Sequence, residues 1–203
     1  GLEMAGFVLI HGAFHGGWCF DPVAERLRQR GHLVIAPDLP GMGGTEAELR
    51  AATLDGWGEY VVGLCHDMRD SCDGPVILVG HSRGGSVIST AAERDPIAMD
   101  QLIYVTALMT PVGGELGDLL AALNPELQTM QTAMSQVENG AGMMITPEGA
   151  AYHFAQNSPP ELVERQLARL VAEPMSTFVT PVIVTEKRWG KIPRSYIECT
   201  QDN

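Results

Sequence analysis

Between residues 7 and 105 short apolar runs alternate with stretches whose apolar positions recur at helical spacing. The runs Phe7 to Ile10, Leu33 to Ala36, Val76 to Val79 and Leu102 to Val105 show little in–out alternation, which predicts strands covered on both faces. Between them, Asp21 to Arg30 is predicted helical, with Val23, Leu27 and the alkyl part of Arg30 on one stripe and Gly31 as its stop. Thr53 to Asp70 is the next helix, with Tyr60, Leu64 and Met68 along one face, and Ser82 to Arg94 the third. The order β-α-β-α-β-α-β predicts a mostly parallel sheet with helices on both faces.

After Pro111-Val112-Gly113-Gly114 the pattern changes. Ala, Met, Gln and Glu dominate, and the helix candidates are Leu116 to Leu123, Pro125 to Ser135, Thr146 to Tyr152 and Pro160 to Leu170. Met130, Met134, Met143 and Met144 read as adaptable apolar filling. A helical insertion beyond the C-terminal ends of the strands lies where a lid over a pocket would lie, or else simply covers the sheet. Ser195 to Cys199 reads as a late strand. The expected organisation is a core segment 1–111, a helical cap or lid 112–180, and a return to the core over 181–203.

Composition narrows the function classes. A net charge of -12, from 25 acidic against 13 basic residues, argues against nucleic acid or an anionic membrane surface as partner. No run approaches the roughly 20 apolar residues of a spanning helix, and no signal-type region is evident, so a cytoplasmic location is expected. The four cysteines form no C-x-x-C pair and read as scattered thiols. His11 and His15 are too close to glycines for a helical metal site, so no metal and no cofactor are expected.

Candidate chemistry concentrates in two glycine-containing segments. Gly80-His81-Ser82-Arg83-Gly84 follows a predicted strand directly. G-x-S-x-G in that setting places a serine on a tight strand-to-helix turn with its hydroxyl exposed, although a serine can also merely cap a helix. Leu9-Ile10-His11-Gly12-Ala13 ends the first strand in a loop able to offer backbone donors. The expected oxyanion donors are the N–H groups of Ala13 and Arg83. Gly12, Phe14, His15 and His81 are the candidates to line a pocket. Asp202 comes just beyond the late strand, at the sheet edge that gathers ligand-binding residues, while its nearest rival acid, Glu198, lies inside the strand. His11 is expected to brace the loop, Asp38 to structure the turn after the second strand, and His81 to face away from Ser82. His153 lies in the insertion.

These segments resemble the α/β-hydrolase fold, in the branch that holds salicylate-ester and methyl-jasmonate esterases, hydroxynitrile lyases and bacterial relatives. The resemblance rests on residues 9–13 with His15-Gly16-Gly17-Trp18, on Ala36-Pro37-Asp38-Leu39-Pro40-Gly41, on the serine turn, and on Ile192 to Ile197 leading to Asp202. It implies Ser82 as nucleophile, Asp202 as triad acid, and Ala13 and Arg83 as oxyanion amides. Hydroxynitrile lyases of the branch carry threonine at the position of Gly12 and glutamate at that of His81, so the esterase side is favoured. The resemblance also implies a catalytic histidine after the acid, beyond a further helix and strand. No histidine follows Asp202, so the last strand and helix and that histidine are expected in a segment absent from this sequence. The expected activity is hydrolysis of small to medium, largely apolar carboxylic esters, with a small-molecule ester as partner and a homodimer allowed. A catalytically silent ligand-binding protein, or a lactone, amide or carbon–carbon bond hydrolase, remains the alternative.

Overall fold

The computed structural model describes residues 4–106, 133–154 and 159–198. Five parallel strands form the main sheet: β1 (Gly6–Ile10), β2 (Leu33–Ile35), β3 (Val76–His81), β4 (Gln101–Val105) and β8 (Arg194–Ile197), in the order β2-β1-β3-β4-β8. Val8, Leu9 and Ile10 are all buried, as a strand covered on both faces requires. Helices α3 (Leu54–Ser71) and α4 (Gly84–Arg94) cover one face, where Trp57, Val61, Cys65 and Ile88 pack against Val8, Ile10 and Leu78. Helix α1 (Asp21–Gln29) covers the other, with Phe20 and Ala24 against Leu9 and Val79.

The chain runs from β1 outward to β2, then returns to place β3 on the other side of β1. Connections leaving β1 and β3 therefore diverge, and such a switch point opens a crevice at the C-terminal ends of the strands. Ile10 pairs with Gly80, so the loop after β1 starts beside the serine turn after β3.

Several sequence expectations need correction. The inward stripe here is Phe20, just ahead of α1, with Ala24 and Leu27 of the helix, and Val23 is half exposed. A 3-10 turn at Gly17–Phe20 feeds the helix and sets its rotation one position away from the expected stripe. In α3 the buried line is Leu54, Trp57, Val61, Cys65 and Met68, with Tyr60 and Leu64 only flanking it. Helix α4 begins at Gly84, because Ser82 itself is not helical. A short helix, α2 (Glu46–Ala51), starts at a capping box in which Thr45 accepts from Glu48 N–H while Glu48 reaches back to Thr45 N–H.

The described part of the insertion is not purely helical. Strands β5 (Met134–Val137), β6 (Gly142–Ile145) and β7 (Glu173–Pro174) form a small antiparallel sheet in that order. Met134 and Ser135, expected at the end of a helix, lie in β5. Helices α5 (Pro147–Phe154), α6 (Pro160–Leu167) and α7 (Met175–Val179) accompany this sheet. The expected helix at Leu116 to Leu123 and most of that at Pro125 to Ser135 lie outside the described residues. Ile145 and Ala150, with Met134, Met143, Met144 and Phe178, pack on Ala13 and Phe14 of the loop after β1. Among the described residues no helix is long and apolar enough to cross a membrane.

Candidate active site

Ser82 sits between β3 and α4 with φ 52, in the left-handed region that costs a non-glycine residue about 1–3 kcal/mol. The turn is held on both sides: Ser82 N–H donates to Val105 O (3.1 Å), and Ser82 O accepts from Gly85 N–H (3.0 Å). The flanking glycines are required by close approach. A Cβ on Gly80 would come 2.6 Å from Gly84 O, and one on Gly84 would come 2.5 Å from Ile10 O and 2.7 Å from His11 O. The turn thus packs directly against the backbone that leaves β1.

That backbone is braced from below. His11 is fully buried, its Nδ1–H donating to Gly12 O (2.8 Å) and its Nε2 accepting from Leu39 N–H (3.0 Å). Burial pushes its pKa down to about 4, so the ring is neutral and can hold both bonds. Asp38 accepts from Gly17 N–H (2.7 Å), which fixes the far end of the loop. Both assignments agree with the bracing roles expected of these residues. A side chain on Gly12 would lie 3.1 Å from Ser82 Cβ, so loop and serine turn are in contact.

Beyond Gly12, His15 Nδ1–H donates to Ala13 O (2.6 Å), and its ring stacks on Trp18, which carries the Arg169 guanidinium on its own ring. Burial lowers the pKa of His15. Phe14 adopts φ 64, a second strained position, and is fully buried. Among the described residues, the Ala13 and Arg83 N–H groups donate to no other group.

The Arg83 side chain and Glu173 were not foreseen. Both are buried, and they form an ion pair between Arg83 Nη2 and Glu173 Oε1. The other carboxylate oxygen, Oε2, accepts from Phe14 N–H (2.9 Å). The guanidinium lies 4.5 Å from the centre of the Trp57 ring, and Trp57 Nε1–H donates to Pro40 O (2.8 Å). Burial pushes the Glu173 carboxyl up and the Arg83 guanidinium down, and each is opposed by the other's charge. The available signal was a charged residue next to the serine together with an acid in the apolar run Leu170-Val171-Ala172-Glu173-Pro174. A charge at such a position needs a partner.

The other candidates are distributed as follows. His81 meets Phe20 edge-on at 6.4 Å, on the α1 side of the sheet, and so faces away from α4. His32 accepts from Ala5 N–H at the opposite end of the strands, and His66 pairs with Asp95. Asp202 and the His153 side chain lie outside the described residues. Burial pushes the thiols of Cys19 and Cys65 up to about 12, so neither competes as a nucleophile. Among the described residues no group of His, Cys, Asp and Glu is arranged to hold a metal. A cleft of about 340 Å³ lined by Arg28, His32, Leu33 and Ser71 lies beside β2, far from Ser82, and gathers no comparable chemistry.

A parallel sheet with this switch point and a strained serine after its central strand is the arrangement of an α/β-hydrolase. The chain belongs to the alpha/beta hydrolase family, whose profile matches residues 7–203. Methyl jasmonate esterase 1 of Vitis vinifera is 32% identical over 209 residues, which span 97% of this chain and 78% of that protein. The carbendazim hydrolyzing esterase of Nocardioides sp. (strain SG-4G) is 42% identical over 127 residues, 61% of this chain and 51% of that protein. The structure of tomato methylketone synthase I complexed with 2-tridecanone matches with a TM-score of 0.80 at 23% identity, covering 100% of this chain and 81% of that one. That last likeness is one of fold. The resemblance drawn from the glycine-rich segments is therefore borne out: the chain is a hydrolase of this family, similar to named esterases.

Proposed function

We propose that the protein is a serine esterase that cleaves carboxylic esters of small to medium, largely apolar substrates through an acyl-enzyme on Ser82. The observation that carries this reading is the strained Ser82 turn packed against the loop of Ala13. The backbone N–H groups of Ala13 and Arg83, in the two segments that meet at that contact, are the oxyanion donors of this reading. Arg83 also stands at the start of α4, where the helix dipole favours developing negative charge.

In the proposed reaction Ser82 Oγ attacks the ester carbonyl and its proton passes to a histidine. The Ala13 and Arg83 amides bind the oxyanion, the alcohol leaves with that proton, and water then releases the acid. Asp202 would orient the histidine, which is expected after it. His11 does not serve as base: both its ring nitrogens are engaged, and burial keeps it from taking up a second proton above about pH 4. The apolar cluster of Met134, Met143, Met144 and Phe178 over Phe14 supports an apolar acyl or aryl group and a covering role for residues 112–180. The relatives' activities on esters agree with this chemistry.

The test uses the full-length natural protein, p-nitrophenyl acetate and butyrate, and a fluorophosphonate probe. Ser82→Ala is expected to abolish both turnover and labelling while leaving cooperative melting intact. Turnover that persists in Ser82→Ala would overturn the assignment of the nucleophile. A wild-type protein that binds esters but is neither labelled nor active would favour a silent binding protein.

A further inference from the structure

We propose that Glu173 is a positioning residue for the oxyanion hole. One carboxylate, supplied by the insertion, fixes the segment of Ala13 and the segment of Arg83 relative to each other. This rests on the reading of Ser82 as nucleophile with those two amides as its donors.

The geometry assigns the role. Glu173 Oε2 takes the N–H of Phe14, which belongs to the peptide unit immediately following Ala13. The carbonyl of that same unit accepts from His15 Nδ1–H, so the peptide plane is pinned at both ends. Phe14 O in turn accepts from Val171 N–H (2.9 Å), so the strained Phe14 backbone is tied to residues 171–173 through both its polar groups. Glu173 Oε1 pairs with the guanidinium of Arg83, the residue whose own amide is the second donor. That guanidinium is clamped against Trp57, which is anchored to Pro40 O. Gly43 N–H donates to Ala172 O, so the segment bearing Glu173 is held from a third side.

A buried ion pair is a poor device for stability alone, since apolar residues of similar volume do as well or better. It is a good device for fixing direction. Here both oxygens of one carboxylate act on the two segments whose spacing decides whether two N–H groups converge on one point. Displacement of a reacting group or donor by about 1 Å costs up to about a hundredfold in rate.

Glu173→Asp separates positioning from mere charge. It keeps the buried pair neutral overall but is one methylene too short to reach both Phe14 N–H and Arg83. Activity on p-nitrophenyl butyrate, labelling by a fluorophosphonate and hydrogen exchange at the Phe14 amide are measured in the full-length enzyme. The expected result is a fall in kcat of about tenfold to a hundredfold with KM within about twofold. Labelling slows in parallel, Phe14 exchange quickens at least about tenfold, and melting stays cooperative. A cooperatively folded Glu173→Asp with wild-type kcat and wild-type Phe14 exchange overturns the proposal. So does faster exchange with unchanged kcat.

Should Glu173→Asp fail to fold, the double variant Glu173→Met with Arg83→Met removes both charges and the Phe14 acceptor, and is judged by the same split. A wild-type enzyme with neither turnover nor labelling would sink the esterase reading instead. Phe14 exchange would then still decide whether Glu173 holds the loop.

Discussion

Acidification is the perturbation whose effect follows most directly from the structure. His11 must stay neutral in the folded protein, because Nε2 accepts from Leu39 N–H and a proton there would set two donors face to face. Burial, the largest cause, depresses its pKa from 6.5 to about 4. In the unfolded chain the ring takes up its proton near the ordinary value, while the folded protein does so only near 4. The contribution to stability is therefore complete above about pH 6.5 and is lost progressively as pH falls to about 4. The full span corresponds to roughly 3 kcal/mol, of which about 2 kcal/mol is gone by about pH 5. Urea unfolding of the wild type and of His11→Gln at about pH 7.5, 5.5 and 4.5 isolates the effect, because glutamine has no proton to bind. The wild type's stability advantage over His11→Gln should shrink by about 2–3 kcal/mol between the two ends of that series. A difference between the two proteins that is constant across the series would refute the reasoning, and with it the neutral, doubly bonded ring. Any loss of turnover in the same window that is absent from His11→Gln would show that the loop of Ala13 moves with the bond to Leu39.

Three further outcomes follow from the same geometry. Ser82→Gly should be more stable than Ser82→Ala by about 1 kcal/mol in urea melts, because only glycine accepts φ 52 without strain; equal midpoints would remove the strain argument. Gly84→Ala drives a methyl to 2.5 Å from Ile10 O and should cost about 1–3 kcal/mol while suppressing fluorophosphonate labelling; a variant of wild-type stability and labelling would contradict the packing described. Tyr104→Phe leaves Ser89 Oγ (2.6 Å from the phenol) and Trp189 Nε1–H (2.9 Å) without their shared partner, so unfolding should ease by about 1–3 kcal/mol; no change in the urea midpoint would mean water replaces the phenol at no cost.

The sheet was legible because its strands are short apolar runs, and a strand buried on both faces leaves no alternation for a surface to impose. The serine turn was legible for a different reason: Gly80 and Gly84 record contacts with backbone, which no other residue type can tolerate. Helix rotation was less legible. Val23 is apolar yet half exposed, because the preceding turn at Gly17–Phe20 lets Phe20 take the core position instead. Strands β5 to β7 were hidden by composition, since Met, Gln and Ser are as compatible with helix as with a short antiparallel ladder. Glu173 was the hardest to see. An acid in a chain with 25 of them looks like surface charge, and only its pairing with Arg83, far away along the chain, makes it part of the site.

That pairing also constrains how substrate can enter. Residues 171–173 bond to Phe14 and Gly43 through backbone groups and to Arg83 through Glu173. Swinging this segment away would break the buried ion pair as well as three hydrogen bonds. Stranding a buried charge costs about 3–5 kcal/mol, which alone holds such an open form to about a thousandth of the population. The segment that carries Glu173 therefore behaves as a fixed wall of the site, continuous with the loop of Ala13. Under the proposed mechanism, any part of the insertion that moves to admit an ester would do so without it, and the Ala13 and Arg83 amides would keep their spacing through the cycle.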